Sequence, residues 1–164
     1  NMQNLIKTSE DDLIAFIDSK HALMDYQPVI KLDKFGKKKI DRIIVLTTHE
    51  ILIIYEGGLK LEKKSNIAVK LLDYVIISKT SQEVMLCFDN NQKSCMHMIL
   101  PQSWGEFFDF LKLRWAQFNP NKTLKVFGVP EKSLIQYHQT TEQNNKYNIT
   151  NIPSEDYRMR DLEM

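Results

Sequence analysis

The chain has 164 residues, of which 43% are apolar and 26% are charged. This size and balance suit one compact domain with a substantial core and room for an appendage. A formal net charge of +1 provides no whole-molecule field that would attract nucleic acid, so any anion-binding site must be local. The apolar runs are much shorter than the ~20 residues of a membrane-spanning helix, and no signal-peptide pattern is seen. We expect a cytoplasmic protein without a nucleic-acid partner.

Residues 1–24 are predicted to form an N-terminal helical segment. Ser9 can cap a helix here, and the acidic residues at 10–12 complement the partial positive charge of its N-terminus. The apolar positions that follow form one stripe: Leu13, Ile14 and Ile17. The pattern predicts a short helix that packs on the domain.

Residues 25–119 are predicted to form the main domain, which begins with β-rich runs separated by turns. The seven predicted strands are QPVIKL, KIDRIIVLT, EILIIY, IAVKLL, YVIIS, EVMLCF and CMHMIL. Gly57-Gly58 and the segment 89–93 are typical of hairpin turns, because Gly and Asn accept positive φ angles. Most of the sheet should therefore be antiparallel.

A long amphipathic helix is predicted over SWGEFFDFLKLRWAQF, with Ser103 and Glu106 as a capping box. Six large apolar residues recur at helical spacing: Trp104, Phe107, Phe108, Leu111, Trp115 and Phe118. Burial of these side chains would contribute on the order of 10 kcal/mol before entropy is subtracted. Core packing explains this face better than a cofactor-binding aromatic cluster does, and the helix is expected to close one end of the sheet.

No group of residues with catalytic or metal-binding spacing is found. The four histidines are scattered, and no glycine-rich phosphate loop precedes a helix. The segment CFDNNQKSC, which holds Cys87 and Cys95, is interpreted as having neither a histidine nor an electropositive helix end close to the thiols, so both are expected to be reduced, unreactive thiols. His97 is interpreted as a solvent-facing or hydrogen-bonded strand residue. The sequence therefore predicts no enzyme activity, no cofactor and no metal.

A basic run surrounds Gly36 at the turn between the first two predicted strands. Its cations are Lys31, Lys34, Lys37, Lys38, Lys39 and Arg42. A hairpin of this kind can present several ammonium groups and backbone N–H donors to one phosphate cluster. The alternative is that the lysines provide solubility and discourage edge-to-edge strand pairing. The residues alone leave both interpretations open.

The same stretch resembles the tail homology domain of class I myosins, which has a pleckstrin-homology-like plan. The matching positions are Lys31, Asp33, Lys34, Gly36, Lys38, Arg42, Leu46 and Thr47, and a weaker likeness continues over about ninety residues. The sequence carries no motor, neck or SH3 module. The resemblance implies a mostly β fold: a seven-stranded antiparallel barrel or sandwich, closed by a C-terminal amphipathic helix, with an N-terminal helix and an extended C-terminal tail.

In that family the domain is non-catalytic and binds anionic phosphoinositides through the cations of the hairpin. The anion- or partner-binding residues predicted here are Lys31, Lys37, Lys38, Lys39 and Arg42. Ile40 stands where the family usually has an arginine, and family members are more basic overall. Both departures would weaken lipid binding.

Residues 120–164 are predicted to form an extended tail. TLKVFGVP can add one extended segment, and the rest is polar and rich in Gln and Asn. The predicted partner anchors are Tyr137, Tyr147, Ile149, Ile152 and Tyr157. Two alternatives stay open: the tail orders on a partner or along its own domain, or it is disordered.

The function favoured by the sequence is a non-catalytic scaffold that holds cytoskeletal proteins, as a subunit of a larger complex. Actin–myosin structures and microtubule structures, including the ciliary axoneme, are the settings that the resemblance suggests. The rival hypothesis is a peripheral protein on the cytoplasmic face of a membrane, which binds phosphoinositides through the hairpin at 31–42.

Overall fold

The computed structural model describes residues 6–33, 35–58, 60–100 and 105–138. They form one sheet, two α-helices and short 3-10 turns. In chain order the elements are α1 (Glu10–Phe16), β1 (Leu23–Leu32), β2 (Lys39–Thr47), β3 (Glu50–Gly57), β4 (Lys60–Ala68), β5 (Leu72–Ser78), β6 (Glu83–Phe88), β7 (Cys95–Ile99), α2 (Gly105–Phe118) and β8 (Lys125–Val129). The 3-10 turns are Val69–Leu71 and Ile135–Tyr137.

The sheet has eight strands in the order β4-β3-β2-β1-β7-β6-β5-β8. All neighbouring strands are antiparallel except β5 and β8, which pair in parallel. The expected antiparallel sheet is confirmed, with one strand more than the seven predicted. The fourth strand also differs from its prediction at 67–72, because β4 covers Lys60–Ala68 and the chain then enters a 3-10 turn. As an edge strand, β4 is largely polar and exposed and shows little apolar alternation.

The inner face of the sheet packs against α2 and forms the main core. The helix contributes four large buried side chains: Phe107, Phe108, Leu111 and Trp115. The indole Nε1–H of Trp115 donates to the carbonyl oxygen of Leu72 at 2.6 Å, which satisfies the polar atom of this ring inside the core. The predicted covering helix is confirmed, while Ser103 and Trp104 lie outside the described residues. No helix in the described part of the chain is long and apolar enough to span a membrane.

The outer face carries a second apolar cluster beneath α1. Leu13 and Ile17 pack there against β2 and β3 residues. Ser9 caps the helix as predicted, because its side chain accepts a hydrogen bond from the backbone N–H of Asp12. Ile14 points away from this cluster and is 49% exposed.

The chain after α2 belongs in part to the domain. Residues 130–138, which we call the strap, follow β8 and cover the outer face of β5 and β6 with buried Leu134 and Tyr137. The extended tail expected from residue 120 is therefore corrected for 120–138, which pack on the sheet. Tyr137, predicted to anchor a partner, is 5% exposed and packs in its own domain. The other predicted anchors lie outside the described residues: Tyr147, Ile149, Ile152 and Tyr157.

Candidate functional site

The turns that follow β1, β3 and β6 lie at the same end of the sheet, which we call the open end. The strand directions require this, since β1 pairs antiparallel with both β2 and β7 and β3 pairs antiparallel with β2. The helix α2 covers the opposite end, where the guanidinium of Arg114 donates to the carbonyl oxygen of Thr48 at 2.9 and 2.7 Å. The open end lacks this cover within the described residues.

A cavity of about 400 Å³ opens on the inner face at the open end. Among the described residues that line it, three are cations and none is a carboxylate: Lys31, Arg42 and Lys64 are accompanied by Ile40, Ile53, Ser65, Ile67, Ser94, Cys95 and Met96. A cavity with this lining favours an anionic ligand.

Tyr55 orients two of these cations. The guanidinium carbon of Arg42 lies 5.0 Å from the ring centroid of Tyr55, and the ammonium of Lys64 lies 5.5 Å from it. Arg42 also donates to the carbonyl oxygen of Asp41 at 2.9 Å, while Lys64 pairs with Glu62 at 2.9 Å. Among the described residues, Arg42 has no carboxylate at salt-bridge distance, so its charge is available to an external anion.

Lys31 brings a partly desolvated ammonium to the cavity. Its Nζ donates to the carbonyl oxygen of Leu32 at 2.9 Å. Burial lowers the pKa of Lys31, because desolvation disfavours its charged form. An anion bound beside this group would favour the charged form and strengthen the contact.

Asp33 organises the turn after β1. Its Oδ1 accepts the backbone N–H groups of Lys37 at 2.8 Å and Lys38 at 3.2 Å. Partial desolvation acts to raise the pKa of Asp33, but the backbone hydrogen bonds stabilise the carboxylate. The net result is a pKa below the ordinary value. The hypothesis that these backbone N–H donors bind phosphate is therefore corrected, since an internal carboxylate already accepts them. Gly36 adopts φ 70°, which suits glycine at this position.

The predicted binding residues separate into two groups. Lys31 and Arg42 line the cavity, whereas Lys37, Lys38 and Lys39 are exposed in and beside the turn. Phe35 lies in the same turn with 60% of its surface exposed. The open end therefore combines an inner pair of cations with an outer basic rim that carries an aromatic ring.

Sequence reasoning missed Lys64, which lies on the edge strand β4 and reaches the cavity from that edge of the sheet. The signal available for it was the lysine pair at 63–64 behind the Gly57-Gly58 hairpin. Only the register of β3 with β4, which pairs Ile54 with Lys63, places this segment at the open end, one strand away from β2.

A chain of polar side chains lies on the outer face of β6 and β7, beneath the strap. The Nε2 of His97 lies 2.6 Å from Oε1 of Glu83, and the Nδ1 of His97 lies 3.2 Å from Nε2 of His138. The Nδ1 of His138 in turn lies 3.3 Å from Sγ of Cys95. The expectation that no histidine lies near the thiols is therefore wrong for Cys95.

Both imidazoles of this chain are held neutral by their surroundings. Burial lowers the pKa of His97. Burial, together with the nearby His97, lowers the pKa of His138 to about 4. Within the described residues, no group of three or more His, Cys, Asp or Glu side chains is placed to hold a metal ion.

Comparisons with known proteins place the fold. No protein-family model matches the chain, and no curated protein sequence matches it. Among solved structures, the DH/PH domain of human ARHGEF11, in a complex with human RhoA and an inhibitor, has a TM-score of 0.53 at 9% identity. That match covers 60% of this chain and 30% of the other. The DH/PH domains of p115-RhoGEF have a TM-score of 0.51 at 15% identity, and this match covers 75% of this chain and 39% of the other.

The hSac2 domain from the human phosphoinositide phosphatase Sac2 has a TM-score of 0.52 at 10% identity, covering 77% of this chain and 94% of that one. The fold is pleckstrin-homology-like. This chain spans about a third of the length of the DH/PH chains that it matches. At these identities the likeness shows the pleckstrin-homology-like fold and no further property, and membership of the myosin tail family stays a prediction.

Proposed function

We propose that the chain is a non-catalytic attachment module whose open end binds the phosphorylated headgroup of a phosphoinositide and so holds the protein at a membrane surface. The observation that carries this proposal is the cavity to which the described residues contribute three cations, Lys31, Arg42 and Lys64, and no carboxylate. Charge-assisted hydrogen bonds to such groups contribute about 1.5–3 kcal/mol each. Two or three of them suffice for selective binding of a multiply charged headgroup.

The outer rim of the open end supports contact with a lipid surface. Phe35 is 60% exposed in the turn after β1, and lysines 37–39 follow it closely in the chain. An aromatic ring can enter the interfacial region of a bilayer while neighbouring ammonium groups remain among the anionic headgroups. The rim would add membrane affinity to the headgroup contacts inside the cavity.

Ile40 limits the strength of this site. It lines the cavity beside Arg42, where a third β2 cation would otherwise reach a phosphate. Each missing charge-assisted contact reduces affinity by about tenfold or more. We therefore expect binding that is moderate and strongly dependent on salt concentration.

A second candidate function is the cytoskeletal scaffold suggested by the sequence, with actin–myosin or microtubule structures, including the ciliary axoneme, as the partner. The specific observation behind it is a second cavity of about 330 Å³ on the outer face, where apolar residues lie beside charged ones: Ile6, Pro28, Ile30, Ile43, Lys7, Asp41, Arg42 and Glu56. A cavity that combines apolar and charged lining suits an anchoring side chain of a partner protein.

Co-sedimentation with phosphatidylcholine vesicles, with and without a phosphoinositide, tests the first function. Arg42→Gln and Lys64→Gln should each weaken the phosphoinositide-dependent binding, Arg42→Gln by about tenfold or more. Lys70→Gln is the matched control, because Lys70 is exposed in the 3-10 turn after β4, at the opposite end of the sheet.

Binding that is no stronger with phosphoinositide than without it would overturn the membrane function. Equal losses in the Arg42 and Lys70 variants would do the same. Retention of the protein in a cytoskeletal fraction, reduced by Ile30→Glu and unaffected by Lys64→Gln, would instead favour the scaffold, since Lys64 is not among the described residues that line the second cavity.

A further inference from the structure

The hydrogen bonds of the polar chain beneath the strap define which ring nitrogen of each histidine donates and which accepts. The carboxylate of Glu83 accepts the backbone N–H of Leu134 at 3.0 Å as well as the Nε2–H of His97. A neutral His97 then has an unprotonated Nδ1, which accepts Nε2–H from His138. The Nδ1 of His138 is consequently an acceptor, and it faces the thiol of Cys95 at 3.3 Å.

This arrangement gives the Cys95 thiol a hydrogen-bond acceptor in Nδ1 of His138. Because the pKa of His138 is lowered to about 4, this ring is a weak base, and the thiolate, which is the nucleophilic form of cysteine, forms by loss of the proton to solvent. Cys95 is half-buried, which leaves part of the residue accessible to small solutes.

Cys87 differs from Cys95 in its surroundings although the two residues are neighbours. It is 1% exposed, and burial raises its pKa well above the ordinary value. Cys87 is therefore a poor nucleophile toward a solute, and any reaction of this thiol must begin at an adjacent atom.

The register of β6 with β7 places the two thiols opposite each other. Cys87 pairs directly with Cys95. Because the N–H of Phe88 donates to the carbonyl oxygen of Ser94 at 2.9 Å, the next pair along the ladder is a non-hydrogen-bonded one. Such pairs have Cα atoms about 4.5 Å apart, which lies within the range of about 4.4–6.8 Å seen in disulfides.

We propose that Cys95 and Cys87 form a peroxide-responsive thiol pair. The Cys95 thiolate, formed by loss of the thiol proton to solvent, attacks one oxygen of a hydroperoxide, so that an S–O bond forms and the O–O bond breaks. The leaving oxygen takes a proton and departs as water or an alcohol, and Cys95 becomes a sulfenic acid. The Cys87 thiol then attacks the sulfur of Cys95, the S–S bond forms, and the hydroxyl leaves as water. Overall two thiols are oxidised by two electrons and one hydroperoxide is reduced.

Formation of the disulfide would also act on the strap. His138 loses the thiol that donates to its Nδ1, and this atom belongs to a ring at the end of the strap. The contact between the strap and β7 is therefore weakened when the pair is oxidised.

Mass spectrometry of the intact chain without reductant tests the proposal. After treatment with hydrogen peroxide we expect loss of two hydrogen atoms and of both free thiols, reversed by dithiothreitol. In Cys87→Ser the reaction should stop at a sulfenic acid on Cys95, which a dione probe traps. In Cys95→Ser, Cys87 should stay unmodified. Equal modification of Cys87 in that variant, or sulfinic acid in the wild type without any disulfide, would overturn the proposal.

Discussion

The open end and the strap-covered outer face use polar side chains in opposite ways. At the open end, Lys31 and Arg42 donate to carbonyl oxygens and have no carboxylate partner among the described residues. Beneath the strap the polar groups satisfy one another: the hydroxyl of Ser78 donates to the carbonyl oxygen of Glu131 at 2.7 Å, and that of Ser81 donates to Lys132 at 2.6 Å. The comparison shows which charges are left for an external ligand and which stabilise the domain itself.

The two regions meet at Gly36. A Cβ atom placed on this glycine would lie 3.3 Å from the side chain of Ile135, so the turn after β1 contacts the strap. The stability of the strap therefore contributes to the position of the basic turn, and changes in either region test the other.

Removal of the strap is expected to have the largest effect. A chain that ends at Pro130 should be less stable than one that ends at His138 by about 3–6 kcal/mol, since Leu134 and Tyr137 each contribute about 1.5–3 kcal/mol through burial. Urea denaturation of the two truncated chains measures the difference. Equal midpoints would contradict the assignment of the strap to the domain.

Acid should weaken the strap through His138. Its folded pKa, about 4, lies below the ordinary value of 6.5, so the unfolded chain binds more protons in this range. The stability that this group contributes is present above pH 6.5 and is lost as the pH falls toward 4. We expect a loss of about 1–2 kcal/mol, because solvent screens this partly exposed ring.

The comparison variant for this pH effect is His138→Gln, measured by urea denaturation between pH 7 and pH 4. It should lose less stability over this interval than the wild type does. The control is His49→Gln, at an exposed histidine in the turn between β2 and β3, which should follow the wild type. A His138 variant with the same pH dependence as the wild type would disprove the role of this ring.

A smaller effect is expected for Gly36→Ala. Both Gly36 and Gly58 have positive φ angles, 70° and 62°, but nothing lies within 4 Å of a Cβ placed on Gly58. Both alanine variants should therefore lose about 1 kcal/mol from backbone strain, and Gly36→Ala should lose a further few tenths through Ile135. Thermal melts of the pair measure this excess, and a greater loss at Gly58 would refute the contact.

The smallest effect on stability is expected at the basic rim. The triple change of lysines 37–39 to Gln should alter the free energy of unfolding by less than about 0.5 kcal/mol, because these side chains are exposed. The same variant should bind phosphoinositide vesicles more weakly. A stability loss of several kcal/mol would mean that the rim belongs to the folded core instead.

Much of the fold could be predicted, because short-range sequence patterns specify it. The β-branched runs of β2 and β3, the Gly57-Gly58 turn and the aromatic face of α2 each depend on neighbouring residues alone. The strand β8 and the strap were assigned to a tail, because five residues with one glycine give little pattern. Their burial comes from parallel pairing with β5, more than forty residues earlier in the chain.

The candidate site, too, has a part that short-range sequence patterns predict and a part that depends on distant contacts. The run from Lys31 to Arg42 is contiguous in sequence and its position at the end of a hairpin could be predicted. Lys64 and the pairing of Cys95 with His138 depend on strand register and on the path of the strap, and no sequence spacing reveals them.

Amide chemical-shift mapping by NMR, with a soluble inositol polyphosphate headgroup as the probe, reports directly whether the open end binds a phosphorylated headgroup. We expect saturable shifts centred on Lys31, Arg42, Lys64 and Ser94, which Arg42→Gln weakens and Lys70→Gln leaves unchanged. Shifts that are absent from these four residues, or that are centred on the opposite end around Lys70, would contradict this expectation.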